Sequence, residues 1–343
     1  MAFALRMFAA LLACLAHAGV AVAQDEVEAF YKGRQVTMLV GSAAGSGYDL
    51  NARLLARHLA NHIPGKPVIV VQNQPGAGSV VMVNSLYNTA PRDGSVMGAA
   101  INGAPTAPLL TPKAARFDPT KLNWIGSTNR DTQVFYVWHT SPIHKLEDVK
   151  TTEIVVGATN PGTTQVDFPK VAADILGLKF KLVSGYKGTH EIHLAMERGE
   201  VQGMGSNGWL ALKVLNSDWL RDNKVRLIAV FNEEPDPELK DVPTVFSLAR
   251  TEEDRQALRL MVARLEYGRP FFLPPDVPQQ RVDALRRAFD ATMRDPAYLA
   301  EAEKMKIDVD PLSGEKVAEL IRRVLATPPA VAGRVAAALE GAR

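Results

Sequence analysis

Residues 36–57 read VTMLVGSAAGSGYDLNARLLAR, and the rest of the chain is organised around this stretch. A short apolar run at 36–40 enters a loop of small residues at 41–47, after which Leu50, Leu54, Leu55 and Leu59 recur at helical spacing. The pattern predicts strand, loop and helix. A loop built from Gly, Ser and Ala lets backbone N–H groups approach a ligand, and the helix that follows adds the positive end of its dipole, so an anion is the natural guest. Neither nucleotide motif is complete. Leu50 stands where the third glycine of a dinucleotide fingerprint would fall, and no Lys-Ser/Thr pair follows as a phosphate-binding P-loop requires. Small residues at such a point can also serve only to make a tight turn, so the remaining sequence has to decide.

Upstream, residues 1–23 carry Arg6 as their single charge, an apolar run from Met7 towards Val22, and small residues at Ala21-Val22-Ala23. This is the anatomy of a secretory signal peptide cleaved before Gln24. The run is too short and too rich in alanine for a membrane span. Cys14, the only cysteine, sits in a Leu-Leu-Ala-Cys context that loosely imitates a lipoprotein box, but the apolar run continues beyond it, which favours ordinary cleavage after Ala23. The mature chain then has no thiol for disulfides, catalysis or metal binding. Its formal charge falls by one, from +2 to +1, on loss of Arg6. That balance argues against a nucleic-acid footprint. With 343 residues and 47% hydrophobic composition, the chain is long enough for two domains with cores of their own.

Downstream, the opening unit repeats. Residues 68–71 form a second β-rich run that ends in the small-residue loop 72–78, and a turn at Pro91-Arg92-Asp93-Gly94 leads to a strand at 95–101. After two short strands around Thr128-Asn129-Arg130-Asp131 the chain crosses into a second domain. There an apolar strand at 154–158 runs into Thr159-Asn160-Pro161-Gly162-Thr163-Thr164 and a helix. Such alternation implies parallel sheets with helices on both faces, and ligands in such folds sit beyond the carboxyl ends of the strands. The fold class is α/β, in two Rossmann-like lobes with a ligand cleft between them: residues 24–128 and 236–343 in the first, 129–235 in the second. A strand at 225–231 is expected to return the chain to the first lobe. Helices near 296–305 and 314–325 are expected to pack there, and the Ala- and Arg-rich end beyond Thr327 to form a solvent-facing helix.

Several landmarks in this order resemble the tripartite tricarboxylate transporter receptors, the periplasmic solute-binding proteins also called Bug receptors. They are VTMLVGSAAGSGYDLNARLLARHL, VIVVQNQPGAGS, PRDGSVMG, FDPTKLNWIGS, IVVGATNPGTTQ, YKG, RGEVQGM and DVPTVF, and they span nearly the whole mature chain. The resemblance implies a Venus-flytrap fold that holds the carboxylate of a small organic acid between two pincer loops, largely through backbone N–H groups and bridging water. Carried over, the first pincer comprises Ser42, Ala43, Gly45, Ser46, Gly47, Tyr48 and Asp49, and the second Thr159, Gly162, Thr163, Thr164 and Gln165. Here the first loop has Ser46 where the family more often has consecutive glycines, and Tyr48 where it has a smaller residue. An aromatic or longer acid is therefore compatible with the loop. The implied partners are the integral-membrane permease subunits of such a transporter, with the receptor acting as a monomer in the periplasm, without cofactor or metal and without covalent chemistry.

Outside the loops, Asn207 follows a strand end and offers both a donor and an acceptor, and Arg130 at the crossing can hold a second carboxylate in a two-point contact or be a solvated hinge arginine. Tyr186, Lys187 and Trp209 also follow strand ends. Asp49 can orient its loop, accept from a ligand or favour the first helical turn. The pairs His58/His62 and His190/His193 share helix faces, but no Glu accompanies them as a zinc motif would require, so they are expected on helix surfaces. The rival functions are a secreted hydrolase or lyase using Ser46 or Asp49, for which no partnering base can be placed, and a sensor that presents its loaded lobes to a signalling protein.

Overall fold

The computed structural model describes residues 25–341; the signal-peptide segment and Cys14 lie outside them. After a helix at 25–31 the chain lays down strands β1 (Gln35–Val40), β2 (Val68–Asn73), β3 (Val96–Ala99), β4 (Asn123–Ser127), β5 (Gln133–Trp138), β6 (Ile154–Ala158), β7 (Phe180–Ser184), β8 (Gly203–Gly208), β9 (Val225–Val230), β10 (Pro270–Leu273) and β11 (Leu312–Ser313). The helices that matter below are α1 (Gly47–His62), α2 (Val80–Thr89), α3 (Thr164–Leu176), α4 (Glu252–Val262), α5 (Gln279–Thr292), α6 (Pro296–Lys304), α7 (Gly314–Leu325) and α8 (Pro329–Gly341).

Two sheets result, with strand orders β11-β4-β10-β3-β1-β2 and β7-β6-β8-β5-β9. Both are mixed rather than parallel, which corrects the sequence expectation. β1 runs parallel to β2 and β3, whereas β10 enters antiparallel between β3 and β4. In the second sheet β6 is parallel to β7 and β8, and β5 is antiparallel to β8 and β9. Both antiparallel strands follow a crossing between the sheets, so neither arrives through the crossover helix that a parallel neighbour needs.

Each sheet is covered on both faces because successive side chains of a strand point to opposite sides. Val36, Met38 and Val40 meet Leu54, Leu55 and Leu59 of α1 and Leu285 and Phe289 of α5, while Leu39 packs with α2 and with Val317 and Leu320 of α7 on the other side. Leu50 is 41% exposed and stands off this stripe. In the second sheet, Phe135 and Val137 of β5 enter one core and Val134 and Tyr136 the other.

The first of these second-sheet cores also takes in Leu258 and Met261 of α4, Val324, and Val331, Val335 and Ala338 of α8. The end of the chain is therefore not a solvent-facing helix. Val335 and Ala338 are fully buried, Arg334 pairs with Asp254 at 2.5 Å, and Lys170 of α3 donates to the Leu339 carbonyl. β9 likewise does not lead straight back to the first sheet. Val245 and Phe246 remain in the second core, and the chain re-enters the first sheet at β10. Strand membership thus divides the chain near 128–133 and again before 270, while α4 and α8 pack with the second sheet.

Candidate functional site

The first loop leaves the carboxyl end of β1 and is fixed from beneath. Asp49, 1% exposed in the first turn of α1, accepts from the Gly45 amide at 2.8 Å, from Asn73 Nδ2 at 2.8 Å and from Arg53 Nε at 3.0 Å. Asn73 also donates to the Ser42 carbonyl, and Arg53 to Asn73 Oδ1. Burial alone would raise the Asp49 carboxyl, but the bonds from Arg53, the Gly45 amide and Asn73 together outweigh it and hold the group below the usual carboxylate range. Asp49 therefore orients the loop. Ser46 Oγ caps α1 by accepting from the Asp49 amide at 3.3 Å and shares a 2.8 Å bond with Ser42 Oγ. It has no histidine or carboxylate partner among the described residues, so the base that a nucleophilic serine needs is missing.

The second loop repeats this construction. Gly162, like Gly45, has a positive φ (+88° and +78°), and its amide donates to Asp167 Oδ1 at 3.0 Å as that of Gly45 does to Asp49. Asp167 is in turn held by Arg264 Nη1 at 2.8 Å, in the role Arg53 plays for Asp49. The helix N-termini that follow are alike as well. Among the described residues, the amides of Gly47 and Tyr48 at the start of α1, and of Thr164 and Gln165 at the start of α3, make no hydrogen bond. Each lobe thus presents a pair of adjacent free N–H donors on a braced loop.

The loops come together. A Cβ added to Gly78, in the loop after β2, would lie 3.0 Å from the Cα of Gly162, and one added to Gly103 would lie 2.7 Å from the Gly162 carbonyl oxygen. The loop around Gly78 reaches this position through positive φ at Ala77 (45°), Gly78 (61°) and Ser79 (78°). The buried Ser79 hydroxyl holds it by donating to the Gly41 carbonyl and accepting from the Ile101 amide. Tyr48 completes the link: its hydroxyl accepts from the Asn102 amide at 3.4 Å, and the guanidinium of Arg269 lies over its ring, 4.9 Å from the centroid. Burial pushes the Tyr48 hydroxyl up, so it stays neutral.

On the second lobe, Gln133 gathers the floor. Its Oε1 accepts from Thr164 and Ser206 hydroxyls, and its Nε2 donates to Asp131 at 2.5 Å. Thr159 and Thr163 share a hydroxyl contact of 3.2 Å. Gln165 is 8% exposed, with Nε2 donating to Thr189 Oγ1 and Oε1 unpartnered. Asn207 is buried beneath this floor, donating to Tyr136 Oη. That hydroxyl also lies 2.8 Å from His193 Nε2. His193 is thus a core residue, not a surface one, and desolvation lowers its pKa to about 4.

Arg130 is not brought into this arrangement. Its guanidinium makes two 2.7 Å bonds to Asp310, and both side chains are about half exposed. Lys187 is exposed, and Trp209 donates to Glu238. His58 and His62 bind Glu301 and Asp295 and so clamp α1 to α6. No group of three or more His, Cys, Asp or Glu able to hold a metal occurs among the described residues. The residues that sequence reasoning missed are Asp167, Arg264, Arg269, Asn102 and the glycines at 78 and 103. One signal was available for Asp167: a loop glycine followed by an aspartate in the first helical turn occurs in both lobes, at a spacing of four (Gly45, Asp49) and of five (Gly162, Asp167). Nothing in the sequence links Arg264 or Arg269 to loops a hundred or more positions away.

Two mixed α/β lobes, with the loop at Gly78 packed against the loop at Gly162, have the fold of the periplasmic binding proteins. More narrowly, residues 51–331 match the sequence profile described as tripartite tricarboxylate transporter family receptor, and the chain belongs to that family. The same fold is found in the periplasmic binding protein BugD (21% identity, TM-score 0.65, covering 88% of this chain and 97% of that one). It recurs in MatC from Rhodopseudomonas palustris with bound malate (19%, 0.65, 87% and 99%). A further R. palustris protein, solved with adipate, shares it too (19%, 0.64, 88% and 97%). No helix among the described residues is long and apolar enough to cross a membrane.

Proposed function

We propose that the protein is a periplasmic receptor that closes on a carboxylate of a small organic acid and delivers it to the integral-membrane permease subunits of a tripartite tricarboxylate-type transporter. The observation that carries this is the duplicated donor set: two free amides at 47–48 and two at 164–165, each on a loop whose glycine is tied to a buried aspartate that an arginine holds. Four fixed N–H donors suit two carboxylate oxygens, and hydrogen bonds to a charged acceptor are roughly twice as strong as neutral ones. The malate and adipate in the structural neighbours are of the same chemical class. In this reading Ser42, Ala43, Ser46, Asp49, Thr159 and Thr163 shape and brace the pincers, while Gly45, Gly47, Tyr48, Gly162, Thr164 and Gln165 meet the ligand or set its approach. In this reading the lobes are residues 24–128 with 236–343, and 129–235, with α4 and α8 of the first stretch packed on the core of the second.

The test is thermal unfolding of the mature chain with a panel of mono-, di- and aromatic carboxylates. A ligand that binds only the folded state adds about 2.7 kcal/mol of stability at a hundredfold excess over Kd, so at least one acid should raise Tm by several degrees. A panel without any shift would overturn the proposal. Gly162→Ala should lower the affinity for that acid at least tenfold, because its Cβ would lie 2.8 Å from the Gly78 Cα at a φ of +88°. Unchanged affinity in that variant would remove the second loop from the site.

A further inference from the structure

We infer that Arg269 is a ligand-contacting residue, which adds a guanidinium engaged in no ion pair to the amides of the first pincer so that the site holds its anion by charge as well as by backbone donors. The inference rests on the carboxylate reading above and names a recognition element within it. Arg269 stands just before β10, 220 residues beyond the loop it adjoins. Its Nη1 and Nη2 lie 3.6 and 3.8 Å from the position of a Cβ on Gly47, the residue whose free amide opens α1. A planar anion seated on the Gly47 and Tyr48 amides is therefore within reach of the guanidinium.

The side chain is prepared for that role. The Tyr48 ring forms a shelf beneath it, and the Tyr48 hydroxyl is itself anchored by the Asn102 amide. The backbone is fixed at the crossing: the Arg269 amide donates to Ser127 Oγ and its carbonyl accepts from the Thr128 amide. Unlike Arg53, Arg130 and Arg264, which are committed to Asp49, Asp310 and Asp167, Arg269 forms no ion pair among the described residues, and its Nε is buried without a partner. Asp131 and Asp308 face it from a greater distance. The behind-the-loop counterpart in the second lobe, Arg264, is already neutralised by Asp167, so the available charge sits on one side of the cleft.

The experiment compares Arg269→Gln, Arg269→Lys and the unmodified chain by calorimetry, using a carboxylate that the ligand panel identifies and its uncharged primary amide. The unmodified chain should prefer the carboxylate to the amide. Arg269→Gln should weaken carboxylate binding about tenfold to a hundredfold, since a charge-assisted bond is lost, and should leave amide binding and ligand-free Tm nearly unchanged. Arg269→Lys, which keeps the charge but not the planar fork, should fall between the two. Wild-type affinity in Arg269→Gln, or an equal loss for acid and amide, would overturn the inference while leaving carboxylate capture intact. Failure of the unmodified chain to bind any carboxylate would instead defeat the functional proposal itself. Should Arg269→Gln not fold, Arg269→Lys with the acid-to-amide ratio still decides.

Discussion

Asp131 stands where the two lobes join, and its environment makes a testable demand on pH. Burial, only partly offset by Arg269 and by the bond from Gln133, raises its carboxyl to about 6 from an ordinary 3.8. The folded chain therefore keeps a proton that the unfolded chain releases. Below about pH 4 both states are protonated and there is no cost; between 4 and 6 the cost grows, and above 6 it is full. Asp131→Asn keeps an acceptor for Gln133 and should stabilise the protein by on the order of 1–2 kcal/mol at pH 7, after allowance for partial exposure, with the gain vanishing below pH 4. Denaturant titrations of both proteins from pH 4 to 7 would show it; a constant offset would contradict the assignment. His193 acts in the opposite sense. Its pKa is lowered from 6.5 to about 4, so it costs no stability above 6.5, and the cost grows as pH falls from 6.5 towards 4, where the unfolded chain takes up a proton that the folded chain does not.

At the scale of elements, α8 makes the clearest claim. Val331, Val335 and Ala338 insert between α3 and α4, and Arg334 reaches Asp254, whose side chain also caps α4 by accepting from the Thr251 amide. Deleting residues 328–343 should cost roughly 4 kcal/mol, from two buried valines at about 1.5–3 kcal/mol each and the smaller alanines. Chemical denaturation would read this directly, and an unchanged midpoint would mean that the helix is dispensable. The elements themselves were mostly visible beforehand. β1, β2 and β6 carry apolar runs, α1 carries Leu54, Leu55 and Leu59 at helical spacing, and the loops at 41–47 and 159–164 announce themselves by small and hydroxyl residues. What misled was Leu50, which fits the stripe in sequence but lies at the exposed first turn, and the alanine-rich α8, whose small side chains look indifferent to burial until a neighbour supplies the surface.

For the whole molecule, the strands belong to two sheets, yet the packing does not separate at the same boundaries. Residues 245–265 and 324–338 join the core of the second sheet although they lie in sequence around β10 and β11 of the first, and the segments 127–132 and 265–269 are hydrogen-bonded to each other at the crossing. Unfolding either sheet alone would strip a core from elements tied to the other. Calorimetry should therefore show one cooperative transition for the ligand-free protein; two well-resolved transitions would mean that the shared core contributes little.

Local features were settled by the sequence: strand and helix periods, the small-residue loops that join them and the family to which these motifs belong. All of these depend on residues within a few positions of one another. Three matters were decided only in three dimensions. Strand direction was one, because the apolar alternation of β5 or β10 is the same whichever way its neighbour runs. Another was the role of each arginine. Arg130 met Asp310 across 180 positions and was taken up by it, while Arg269 came to lie over the Tyr48 ring and forms no ion pair among the described residues. The third was the seat of α8. Such outcomes turn on which distant groups share a few ångströms of space, and no pattern along the chain encodes that distance.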